Sequence, residues 1–236
     1  MPHAQTFFRP AASAWIRPAS ILPACVLLSG CAAWSPFVDP RQMAKDREQF
    51  GATADQRITE LQAEAKAARA AGPAGRTEFT SRLVSEMLGE HDPRVRSRIL
   101  EAAAGFDTPE AVAICKGALQ DPDAEVRMEA CDVWARRGGP EAVSLLAARS
   151  TTDAELDVRL RALRMLGELK DDRAIPVLAK ALEDPDPAVQ YRAVAALKRV
   201  SGRDLGDDVN TWREWAADPE GSAAEWSIAE GFRKIF

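Results

Sequence analysis

The sequence predicts an all-α protein, a right-handed solenoid of stacked helix hairpins with capping helices at its N- and C-terminal ends. Three observations predict it. A valine followed by a basic or polar residue recurs at Val95-Arg96, Val126-Arg127, Val158-Arg159 and Val189-Gln190, at spacings of 31, 32 and 31 residues. Breakers divide each unit into two apolar segments of helical period: Gly105 to Pro109, Gly138-Gly139-Pro140, and Gly167 to Asp172. No segment sustains period-two alternation, so no sheet is expected.

The first element is an address. Arg9 and Arg17 precede a short apolar run from Ile21 to Leu28, and small residues follow. Eight apolar residues cannot cross a bilayer core, which takes about 20 in a helix. The order of basic, apolar and small residues reads as a secretory signal peptide over residues 1–30. Leu28-Ser29-Gly30-Cys31 resembles the lipobox of bacterial lipoproteins. That resemblance implies cleavage between Gly30 and Cys31 and a diacylglyceryl group on the Cys31 thiol. Two acyl chains anchor a protein stably where one holds it only marginally. Ala32 in place of Asp after the cysteine implies the outer membrane, facing the periplasm. The alternative is an ordinary cleaved signal with a chance cysteine.

Residues 31–52 read as a tether. Residues 53–91 hold N-terminal helices. Thr53-x-x-Gln56 resembles a capping box, opening a helix to about Ala71 with a thin apolar stripe of Ile58, Leu61, Ala65 and Ala68. Such a stripe suits packing on the solenoid or a stalk better than a coiled coil. Thr77 to Glu90 carries Phe79, Leu83, Met87 and Leu88 at helical spacing and should cap the front of the array.

Residues 92–202 hold the repeats, part of an array of about four helix pairs. Asp92-Pro93, Asp121-Pro122, Asp153-Ala154 and Asp184-Pro185 precede the valines. Aspartate is a good N-cap, and proline suits a first helical turn. Val158, Ala162, Leu163 and Leu166, and likewise Val189, Ala193, Val194 and Leu197, fall on one helical face. Second helices are expected at Ala111 to Leu119, Ala142 to Ser150 and Ala174 to Leu182. A hairpin cannot bury its apolar face alone and must stack on its neighbours. The stretches "DPDAEVRMEACDVWARRGGPEAVSLLA", "DAELDVRLRALRMLGELKDDRAIPVLAKAL" and "DPDPAVQYRAVAALKRVSG" resemble HEAT repeats of the short kind found in phycobilisome lyases.

Residues 203–236 read as a C-terminal cap and an amphipathic tail. "SGRDLGDDVNTWREWA" resembles the closing segment of bacterial envelope HEAT-repeat lipoproteins, with a short helix opened by Asp207 or Asp208. Trp212 and Trp215 would cover the last apolar face, or hold an aromatic ligand. Trp226, Ala229, Phe232 and Phe236 in the tail could dock on the array, a membrane or a partner.

Composition narrows the function. Hydrophobic residues make up 46% of the 236, enough for a sizeable core, and the formal charge is −5. Without residues 1–30 the chain has 29 basic against 36 acidic residues, so a nucleic-acid backbone is not an expected partner. Only His91 remains beyond His3. HEAT-type iron-dependent hydroxylases use several His-Glu pairs, which are not found here, and a zinc site needs three or four ligands. No phosphate loop or Ser/His/Asp set is present.

Cys115 and Cys131 fall on helices expected to be neighbours. They could be buried thiols or a disulfide, and the lyase resemblance adds the reading of a bilin-transferring thiol. Arg96, Arg127 and Arg159 recur beside the aspartates, as a ladder tying turn to turn or as an anion strip interrupted by Gln190. Arg161, Arg164 and Arg192 form a local basic bias and a candidate partner surface.

The expectation is a lipid-anchored, non-catalytic scaffold or adaptor that binds another envelope protein. No cofactor, metal or small-molecule substrate is expected, and the chain is not expected to be an enzyme. The alternatives are a HEAT-like lyase or hydroxylase-related enzyme and a purely structural envelope component.

Overall fold

Residues 40–219 are described in a computed structural model, and among them every regular element is helical. The signal segment with Gly30 and Cys31, and the tail from Ala223 to Phe236, lie outside the described residues. The chain divides after Lys45 into two units. Helix α1 (Pro40–Phe50) spans that division and lies inside the stretch read as a tether. The second unit, from Asp46 onward, contains the paired helices.

Ten helices make five successive pairs: α2 (Ala54–Ala70) with α3 (Pro73–Gly89), α4 (Pro93–Ala104) with α5 (Pro109–Ala118), and α6 (Ala124–Arg137) with α7 (Gly139–Thr152). Then come α8 (Leu156–Leu169) with α9 (Ile175–Ala181), and α10 (Pro187–Ser201) with α11 (Val209–Ala217). A 3-10 turn, Asp172–Ala174, leads into α9. The first helices stack in order, α2 on α4, α4 on α6, α6 on α8 and α8 on α10. Among the second helices α3 packs on α5, and α9 on α11. This is an α-solenoid. The paired arrangement begins at Thr53, because α2 occupies a first-helix place in the stack.

Local signals set the helix starts. Thr53 and Gln56 form the expected capping box on α2. Asp92 caps α4 with Pro93 behind it, and Asp208 caps α11 by accepting from the Thr211 N–H at 2.8 Å. The other three aspartates differ from expectation. The N-caps of α6, α8 and α10 are Asp123, Glu155 and Asp186, so Asp121, Asp153 and Asp184 each sit two residues too early to cap. Their carboxylates instead accept the N–H of Asp123, Glu155 and Asp186 respectively, at 2.9, 3.0 and 2.9 Å. That bond holds the turn, and each carboxylate also receives an arginine from the repeat before it.

One continuous core runs through the stack. Leu163, Leu166 and Leu197 are fully buried, and each such burial contributes roughly 1.5–3 kcal/mol. Helices α8 and α10 approach closely where a Cβ on Gly167 would lie 2.9 Å from the Ala196 Cα. A glycine inside a helix is otherwise unfavourable by about 1 kcal/mol relative to alanine. Here it lets two backbones meet. Gly138 and Gly139, at φ of +68° and +80°, turn α6 into α7.

Candidate functional site

A ladder of arginines runs along the turns. Arg96 donates from Nε and Nη2 to the two Asp121 carboxylate oxygens, at 2.8 and 2.7 Å. Arg127 does the same to Asp153, at 2.9 Å for both bonds. Each guanidinium also donates to carbonyls of the turn before its own helix: Arg96 to His91 at 3.0 Å, and Arg127 to Asp121 at 2.8 Å. The paired carboxylates hold both guanidinium pKa values above the ordinary one. Burial pushes the Asp153 carboxyl upward, but the hydrogen bonds from Arg127 and the Glu155 N–H overcome it and leave its pKa lowered.

Arg159 reaches Asp184 through one contact of 3.5 Å, and Gln190 ends the series by donating to the Asp184 carbonyl at 2.7 Å. The arginines therefore tie neighbouring turns together and are occupied in doing so. The sequence reading missed one rung. Arg57 pairs with Glu90, and Glu90 accepts the Asp92 N–H at 2.8 Å as the later aspartates accept theirs. The signal was present: Arg57, Arg96, Arg127 and Arg159 each stand four residues after their N-cap.

The candidate basic surface is only partly free. Arg161 donates to Asp132 of the preceding first helix at 3.2 Å. Arg164 lies 3.9 Å from Glu168, whose carboxylate is held by Arg199 at 2.8 Å. Arg192 makes no hydrogen bond or ion pair among the described residues.

The structure adds a groove that the sequence reading did not single out. It lies between α3 and α5, has a volume of about 410 Å³ and is open on one side. Val84, Met87, Leu88, Ala113 and Ile114 form its apolar wall. Leu88 is 84% exposed, a large apolar side chain left to water at the rim. The helical spacing of Phe79, Leu83, Met87 and Leu88 places Leu88 on the packed face of a capping helix, but its phase turns it outward.

Cys115 and Cys131 are free, buried thiols, so the disulfide left open by their placement is not formed. Burial pushes the Cys115 thiol up, and burial together with Asp132 and Asp153 pushes Cys131 up to about 12. Neither has the thiolate character of a transferring cysteine. Trp212 and Trp215 are buried at the end of the stack, with ring centroids 5.4 Å apart. They cover the last face and leave no aromatic ligand slot between them.

The comparisons with known proteins start from the family. A model of HEAT repeats matches residues 80–159 and 151–230. The chain belongs to the HEAT-repeat family. Mouse deoxyhypusine hydroxylase is 31% identical to this HEAT-repeat chain over 90 residues, which are 37% of the chain and 28% of the mouse protein. The human deoxyhypusine hydroxylase structure, solved in complex with glycerol, superposes with a TM-score of 0.50 at 21% identity. It covers 58% of this chain and 52% of its own. The chain thus spans about a quarter of the curated relative's length and about half of the solved one.

These likenesses overturn the expectation that the chain is not an enzyme. The similar proteins are an enzyme of HEAT-like build, so a repeat fold of this kind is compatible with catalysis. The metal donors expected of HEAT-type hydroxylases are another matter. Among the described residues His91 is the one histidine, exposed in the turn before α4, and no three His, Cys, Asp or Glu side chains gather to hold a metal. That donor set does not fit a His-Glu iron site.

Proposed function

We propose that this HEAT-repeat protein binds a polypeptide partner, an envelope protein, through the surface of its solenoid. In this reading, lipid on Cys31 holds it on the outer membrane of a bacterial envelope. The α3–α5 groove carries the reading. Its wall is apolar, and the two carboxylates at its edge, Glu90 and Asp121, are already neutralised by Arg57 and Arg96. A groove without free charge suits an apolar segment, and a large apolar side chain exposed at its rim extends the apolar surface that such a segment would cover. The lipobox resemblance of Leu28 to Cys31 supports the anchor.

In-cell crosslinking of the full chain tests this. Leu88→Asp is expected to weaken the crosslinked partner band at least about tenfold with the thermal midpoint unchanged, since the side chain is exposed. An undiminished band removes the groove reading. Cys31→Ser is expected to move the protein from the membrane to the soluble fraction, and retention on the membrane removes the anchor.

A second reading is a hydroxylase-related enzyme. The likeness to deoxyhypusine hydroxylase favours it more directly than it favours a binding surface, while the donor set weighs against its iron form. Metal analysis of the purified protein separates the two, because stoichiometric iron would establish donors that the described residues do not supply.

A further inference from the structure

We propose that Arg164 and Arg192 form a binding site for an acidic segment of a polypeptide partner, lying across α8 and α10. The proposal rests on the polypeptide-binding reading but uses a different part of the solenoid from the groove.

The repeat register carries it. Counting from each N-cap, Arg161 is the sixth residue of its repeat and Asp132 the ninth of the one before. They meet, with Arg161 Nη1 3.2 Å from Asp132 Oδ2. The thirteenth positions meet as well: Arg199 Nη1 donates to Glu168 Oε1 at 2.8 Å. One repeat further on, the sixth residue is Arg192 and the ninth residue before it is Arg164. Where Arg161 finds a carboxylate, Arg192 therefore faces a second guanidinium.

The nearby acid does not satisfy them. Glu168 is engaged by Arg199, and its 3.9 Å contact with Arg164 is beyond hydrogen-bond reach. The ninth residue of α10 is Ala195, which adds no acid. Arg164 is exposed and Arg192 half-buried, so both guanidiniums remain within reach of solvent. Tyr191, the residue before Arg192 in the chain, is 61% exposed. Two guanidinium groups within reach of solvent make a surface suited to carboxylates, which arginine binds through paired, charge-assisted hydrogen bonds.

The chain as a whole selects the ligand's size. Its formal charge is −5, so an extended anionic surface meets net repulsion. Screening over about 8 Å at physiological salt confines the attraction to the patch. A short acidic peptide fits that range, and a membrane plane does not.

Fluorescence anisotropy of the full chain with a labelled hexaglutamate peptide is the test. Wild type is expected to bind, with affinity falling as salt rises. Arg164→Ala and Arg192→Ala should each weaken binding about tenfold, and Arg161→Ala, whose charge is already paired, less than about twofold. Ala195→Glu supplies a competing carboxylate with both arginines kept, and should also weaken binding about tenfold. Melting curves confirm that each variant is folded. Leu88→Asp should leave hexaglutamate binding unchanged, which separates this site from the groove. The proposal is overturned by absence of peptide binding to wild type, or by equal losses in Arg161→Ala and Arg192→Ala. Sedimentation with phosphatidylglycerol vesicles in place of peptide binding would overturn it too.

Discussion

Asp153→Ala is expected to lower the unfolding free energy by about 3–5 kcal/mol, the usual cost of removing one member of a buried ion pair. The Asp153 side chain is 1% exposed and accepts from Arg127, from Arg149 at 3.3 Å and from the Glu155 N–H. Its loss strands Arg127 and Arg149, both largely buried, and frees the turn that opens α8. Chemical denaturation of the full chain measures this, and a change below about 1 kcal/mol would reduce the ladder to a surface ornament.

The same residue sets a pH dependence. The folded pKa of Asp153 lies below its ordinary value of 3.8. The unfolded chain therefore takes up the proton first as pH falls. The stabilisation is complete above about pH 5 and is lost as pH drops through the lowered folded pKa. Asp153→Asn should flatten this part of the stability profile and leave the neutral-pH plateau lower. A profile that keeps its full acid slope in Asp153→Asn assigns the slope to other carboxylates.

Trp212→Ala is expected to cost about 3–5 kcal/mol, as for other buried aromatic truncations. Trp212 is fully buried, donates from Nε1 to the Gly206 carbonyl at 2.9 Å, and meets Trp215 edge to face. Next to it, Arg213 donates to the Leu182 carbonyl at the end of α9, tying the cap to the repeat before it. A solenoid unit contacts only its neighbours, and among the described residues the α10–α11 pair has a neighbouring pair on one side. Loss of Trp212 should therefore open α9 to α11 first. Hydrogen exchange is expected to accelerate there while the amides of α4 to α6 keep their protection. Uniform acceleration along the chain would mean that the stack unfolds as one cooperative unit instead.

The helix pairs were legible because their signals are local. The glycine breakers, the Thr53 capping box and the Trp212–Trp215 closure each depend on residues a few positions apart, and the 31-residue recurrence is a repetition of such local signals. The starts of α6, α8 and α10 were misplaced by two residues for a related reason. Asp121 and Asp123 are both plausible caps by sequence, and only the arrival of Arg96 on Asp121 separates them. Arg57 escaped notice because 39 residues separate Thr53 from Asp92 and because Glu90 replaces aspartate at that rung. The basic cluster 161, 164 and 192 read as one surface until Asp132 claimed its first member. The enzyme question was legible only as an alternative, a HEAT-like lyase or hydroxylase, because the near absence of histidine weighed against it; the likeness to a hydroxylase over a fraction of both chains reversed that weighting.

By itself the sequence determined that this chain forms paired helices with apolar faces that must stack, since helical period and capping act within a turn or two. Tertiary structure alone decided which charges are spent and which stay available. Arg96 meets Asp121, and Arg161 meets Asp132, across some 25 to 29 residues of chain. Such pairs come into being only when one hairpin settles on the next, and they leave Arg192 without a carboxylate and Arg164 with a single 3.9 Å contact to Glu168, on the face proposed above for a partner.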